Sequence, residues 1–133
     1  MTYDEFLENK KQTINDVGFD VPTIHLHSYL FGFQKHIVKI ALQKGKYAIF
    51  ADCGLGKTFM QLEWARHVVS VTNRPVLILA PLAVSGQTIQ EGEKFGINIS
   101  KFHHEDGNWK VILGPSRGFT QRSIPGWSGR IYP

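Results

Sequence analysis

The run Lys46-Tyr-Ala-Ile-Phe-Ala-Asp-Cys-Gly-Leu-Gly-Lys-Thr58 constrains this chain more than any other stretch. Tyr47 to Phe50 reads as a short apolar strand, Ala51 to Gly56 as a glycine turn, and Lys57-Thr58 as the opening of a helix. Strand, glycine turn and helix, with a lysine and a hydroxyl at the helix start, is the layout of a phosphate-binding loop. Gly54 and Gly56 carry no side chain, so the backbone can wrap a phosphate and aim its N–H groups inward. The helix start adds unpaired donors and partial positive charge. Lys57 would reach the outer phosphates and the Thr58 hydroxyl would ligate Mg²⁺. Ala51 replaces the first glycine of the general Walker A pattern G-x-x-x-x-G-K-[ST], giving A-x-x-G-x-G-K-T. The nucleotide contacts expected from this loop are therefore Ala51, Asp52, Cys53, Gly54, Leu55, Gly56, Lys57 and Thr58, with Thr58 also the metal ligand. The competing reading is a glycine-containing turn whose lysine is merely solvated. The strand before the loop and the long helix after it weigh against that.

With 133 residues the chain is one domain or a piece of one. No apolar run approaches a membrane span, and residues 1–20 are charged rather than signal-like. The single cysteine, Cys53, excludes an internal disulfide and fits a reducing cytoplasm. Net charge is +4, and residues 1–20 hold Asp4, Glu5, Glu8, Asp16 and Asp20 against Lys10 and Lys11. The remainder is thus basic, which suits a polyanionic partner.

Residues 2–17 read as a helix with a Thr2-x-x-Glu5 capping box, ended by Gly18. Residues 18–27 read as an extended linker held by Pro22. Ser28 is placed to cap a second helix running to Lys44, with Leu30, Phe33, Ile37, Ile40 and Ala41 as its buried stripe and Gly45 as its stop. Helix 58–72 pairs one apolar row, Met60, Trp64 and Val68, with another, Leu62, Ala65 and Val69. Val76–Ala80 reads as a strand buried on both faces, residues 84–95 as a weaker helix, Ile97–Phe102 as a third strand and Trp109–Leu113 as a fourth. His103-His104-Glu105-Asp106 reads as a polar turn. From Gly114 the sequence has no period and much Gly, Pro and Ser, which predicts an irregular tail. The pattern predicts an α/β fold: an incomplete parallel sheet of the P-loop NTPase, RecA-like type with flanking helices, preceded by a helical N-terminal segment. It divides into an N-terminal helix and linker (1–27), a partial ATP-binding domain (28–113) and a C-terminal tail (114–133).

Three motifs together carry a family likeness: Leu30-Phe-Gly-Phe-Gln34, Ala51-Asp-Cys-Gly-Leu-Gly-Lys-Thr58, and Leu79-Ala-Pro-Leu-Ala-Val-Ser-Gly-Gln-Thr88. They resemble the start of a superfamily 2 helicase, in particular the DEAD/DEAH-box-like, Swi/Snf-type and phage DNA translocases. The likeness covers roughly residues 28–102, the N-terminal part of the first RecA-like lobe. It implies ATP with Mg²⁺ as the ligand, DNA or RNA as the partner, and a bacterial or phage-infected cytoplasm as the setting. It implies that Gln34 reads the adenine edge, with Phe33 nearby for stacking. It implies that Pro81, Ser85 and Gln87 touch a nucleic-acid backbone. Thr88 stands where many of these translocases have Trp.

The family's later Asp-Glu motif, which holds Mg²⁺ and orients the attacking water, has no counterpart after Lys57. Phosphoryl transfer needs both tasks performed. The sequence therefore predicts the ATP-binding portion of a nucleic-acid-dependent ATPase or helicase, cut short and inactive by itself, with exposed strand edges and marginal stability. The alternatives are a non-catalytic ATP- or DNA-binding module, or another P-loop enzyme such as a kinase.

Overall fold

The computed structural model describes residues 2–10, 16–103, 109–113 and 130–131. Helix α1 spans Tyr3–Lys10. Its capping box forms as expected: Thr2 N–H donates to Glu5 Oε2 at 2.7 Å, and Glu5 N–H donates to Thr2 Oγ1 at 3.3 Å. The helix is shorter than the 2–17 read from the sequence, since Asp16 and Val17 are not helical and 11–15 lie outside the described residues. Gly18 is a glycine for another reason than stopping a helix. A side chain there would strike the Leu42 carbonyl oxygen. The backbone of Gly18 and Phe19 instead donates to the carbonyls of Gln43 and Leu42, both at 3.0 Å, strapping this segment over the end of the second helix.

That helix, α2, spans Gly32–Lys44 and starts after Phe31 rather than at Ser28. Its buried residues are Gln34, Val38, Ala41 and Leu42, so the stripe is rotated from the one expected: Ala41 is in it, Phe33 is exposed, and a glutamine lies inside. Helix α3 spans Lys57–Thr72 and ends at Asn73, whose left-handed φ of 52° an asparagine tolerates. It buries Phe59, Met60, Leu62, Ala65 and Val69 against Val38 and Leu42 of α2. Each of these side chains apart from Ala65 contributes about 1.5–3 kcal/mol. Strand β1 is Val76–Leu79, with Ile78 in the core but Leu77 and Leu79 exposed, so it is not buried on both faces as the sequence suggests; helix α4 is Leu82–Lys94. Gly92 lets α4 close on Ile99, since a side chain there would collide with it.

The parallel RecA-like sheet predicted from the sequence is not present among the described residues. Helix predominates over strand, Tyr47–Phe50 forms no strand, and β1 has no parallel neighbour. Phe50 is 97% exposed, so the apolar run before the glycine turn is not a buried sheet element. The pairing that exists is antiparallel. Strands β2 (Ile99–His103), β3 (Trp109–Leu113) and β4 (Arg130–Ile131) give the order β1-β3-β2-β4. Val76 faces Leu113, Ile99 faces Leu113 across the other side of β3, and Phe102 faces Ile131. Antiparallel neighbours need only a short connection, and five residues separate β2 from β3. Both β1 and β2 run opposite to β3, so α4 does connect two strands of like direction, but β3 is inserted between them. Arg130–Ile131 also departs from the irregular tail expected there. The polar turn read at His103–Asp106, beyond His103, and residues 114–129 of the tail lie outside the described residues. Among the described residues no helix is long and apolar enough to cross a membrane.

Candidate phosphate-binding site

Residues 51–56 form a tight turn that delivers the chain into α3. Gly54 and Gly56 take φ of 78° and 74°, the left-handed region open to glycine. Gly56 has a second constraint, because a side chain there would run into Gln34 Nε2. At Gly54 the space is clear, with nothing within 4 Å of where a Cβ would stand. The turn is pinned by its own residues: Asp52 Oδ1 accepts from Cys53 N–H at 2.7 Å, and Asp52 O accepts from Leu55 N–H at 3.4 Å. The N–H groups of Gly54, Gly56, Lys57, Thr58 and Phe59 have no protein acceptor among the described residues. They form a set of donors at the start of a helix, where an anion is favoured.

Lys57 is exposed and arches back over the turn, its Nζ donating to Ala51 O at 2.8 Å and Asp52 O at 3.0 Å. Those bonds are to neutral carbonyls at the surface, so an anion entering the turn can replace them. Thr58 is half-buried one residue into α3. Among the described residues there is no cluster of three or more His, Cys, Asp or Glu able to hold a metal ion. A cation here would rest on the Thr58 hydroxyl and on the ligand's own oxygens, a pattern Mg²⁺ accepts because it keeps waters and phosphate ligands. Cys53 is exposed on the turn.

Gln34 is brought to the loop, 5% exposed. Its Oε1 accepts from Phe31 N–H at 2.9 Å and its Nε2 donates to Leu55 O at 2.9 Å. The amide thus closes the first turn of α2 and ties it to the glycine turn. Phe31 and Phe33 stack on each other outside, with centroids 6.3 Å apart. The residues expected to touch nucleic acid lie elsewhere, around the start of α4, and do not share one surface. Pro81 is exposed and caps α4 through its carbonyl, Gln87 is exposed and its Nε2 donates to Glu91 Oε1 at 3.4 Å, and Ser85 is buried at 1% exposure.

One polar cluster escaped the sequence reading. Glu63 is fully buried in the middle of α3. Arg66 donates to it through Nε at 2.9 Å and Nη2 at 2.6 Å, His67 Nε2 lies 3.1 Å away, and the His27 N–H donates at 2.8 Å. Arg66 Nη2 also donates to His25 O at 3.2 Å. Burial by itself would raise the Glu63 pKa, but the bonds from His67, Arg66 and His27 outweigh it and hold the carboxyl at about 2. The same contact raises the Arg66 pKa. The cluster staples residues 25–27 to α3, and the His27 ring packs edge-on to Phe59 and Phe95, which stack 3.6 Å apart. Its signal was present in the sequence as Glu63, Arg66 and His67 at i, i+3 and i+4, set among Leu62, Trp64, Ala65 and Val68.

No family model, curated protein or solved structure matches the chain.

Proposed function

We propose that this chain binds the phosphates of a nucleoside triphosphate, ATP with Mg²⁺, on the turn 51–58. One observation carries the reading: an exposed lysine and a row of N–H groups without a protein acceptor among the described residues share one turn, where Gly54 leaves open space. Backbone N–H groups would hold the phosphate oxygens, Lys57 would exchange its two carbonyl acceptors for them, and Thr58 Oγ1 would serve the cation. Among the described residues no carboxylate at the turn is placed to orient a water: Asp52 caps the turn and Glu63 is buried in its own cluster. We therefore read the chain as a binding element without turnover of its own. The likeness to superfamily 2 helicases supports nucleic-acid-dependent ATP hydrolysis in a larger assembly, in a cytoplasmic setting. DNA or RNA is the partner that the basic balance of residues 21–133 favours.

Calorimetry with Mg·ATP tests this. Binding should be measurable, should fall at least tenfold in Lys57→Ala, and should occur without phosphate release. Binding that is indifferent to Lys57→Ala would remove the loop from the account. Phosphate release stimulated by DNA would show that the chain is itself an enzyme.

A further inference from the structure

A cleft of about 380 Å³ opens beside the turn, lined by Ala41 of α2, Tyr47 and Ile49 of the incoming segment, and Lys57, Gln61 and Trp64 of α3. That volume is in the range of small-molecule sites, as is the mixture of apolar walls with a few polar groups. Lys57, Gln61 and Trp64 are spaced i, i+4 and i+7, so they form one stripe down the helix. The helical rise sets Trp64 about 10 Å along the axis from Lys57. The stripe reads as a cation, then a carboxamide, then an aromatic ring, with Tyr47 as a second ring in the same cleft.

Lys57 is held only by the carbonyls of Ala51 and Asp52, and Trp64 rests partly buried against the core. Neither Tyr47 nor Trp64 stacks on another aromatic ring, and the Gln61 amide has no hydrogen-bond partner, among the described residues. Gln34 is the opposite case: it is buried and each end of its amide already has a backbone partner. Phe31 and Phe33, the aromatic pair beside it, are stacked on each other.

We propose that this cleft takes the nucleoside of the bound triphosphate, the base lying against Trp64 and Tyr47 and the Gln61 amide hydrogen-bonding the nucleoside. The proposal rests on the phosphate-binding reading above, and Lys57 is the residue shared by the turn and the cleft. With phosphates at the N-terminus of α3, a nucleoside triphosphate laid along the stripe brings its base to the aromatic end. Base-on-ring stacking does not depend on the Watson–Crick edge, so it serves any nucleobase.

The experiment compares adenosine, tripolyphosphate and ATP on the full chain by calorimetry. ATP should bind more tightly than tripolyphosphate. Trp64→Leu and Gln61→Leu should each weaken ATP about tenfold while leaving tripolyphosphate unchanged. In a chain carrying Trp109→Phe and Trp127→Phe, adenosine should quench the remaining Trp64 fluorescence. Equal affinities for ATP and tripolyphosphate would overturn the proposal. So would an ATP loss in Phe33→Ala that Gln61→Leu does not share, which would put the base beside Gln34. If Trp64→Leu does not fold, Gln61→Leu decides, since Gln61 is exposed. Adenosine binding that persists where tripolyphosphate fails to bind would defeat the loop reading and not the cleft.

Discussion

Two ends of the working part of α3 treat polar groups in opposite ways. In its middle, Glu63 has no exposure and every partner it needs, from Arg66, His67 and the His27 backbone. At its start, Lys57 is in water, bonded to carbonyls it can leave, beside N–H groups with no protein acceptor among the described residues. Both are charged groups on one helix, six residues apart. A buried ion cluster that is fully satisfied holds the architecture, and removing one member leaves the others stranded. A charge satisfied only loosely at an open turn is available to a ligand. Stability and binding should therefore separate along this helix.

The largest effect expected is from Glu63→Ala, which strands Arg66 and the His27 N–H and should cost about 3–5 kcal/mol in a denaturant melt. Lys57→Ala, in the same assay, should stay within about 0.5 kcal/mol. A comparable loss in both variants would erase the distinction between the two ends. Acid should reveal the same cluster in the unmodified chain. Glu63 titrates lower folded than unfolded, so its contribution is present above the ordinary value of 4.5 and lost as pH falls toward about 2. Denaturation midpoints should drop across that window, and Glu63→Gln should flatten the drop. A smaller effect should distinguish the two glycines of the turn. Gly56→Ala must take a left-handed φ and displace Gln34, costing about 2 kcal/mol, whereas Gly54→Ala pays only for its φ, about 1 kcal/mol. Equal midpoints for the two alanine variants would mean that the Gln34 contact contributes nothing.

What the sequence revealed was what local chemistry decides. The glycine turn, the start and length of α3, the capping box at Thr2 and the strand at Val76 follow from neighbouring residues, and each formed close to where it was read. The sheet did not, because strand partners are chosen at long range. Tyr47–Phe50 has the composition of a strand but no pairing neighbour among the described residues, and the β2–β3 connection is short enough for an antiparallel return that placed β3 beside β1. At the site, the residues of the turn were legible and their surroundings were not. Gln34 is expected from the family likeness to offer its amide to an adenine edge, yet it is buried with that amide bonded to Phe31 and Leu55. Ser85 reads as a hydroxyl offered to a nucleic-acid backbone, yet it faces inward. Periodicity locates a face of a helix only to within about a residue, and at both positions that residue decided between water and interior.

The carboxamide of Gln34 is gripped at both ends, by the amide that opens α2 and by a carbonyl of the glycine turn. These two pieces of backbone, at Phe31 and Leu55, are 24 residues apart in the chain, yet they are yoked through one planar group. Anything that prises the turn wider must tow the first coil of α2 along with it or snap the yoke.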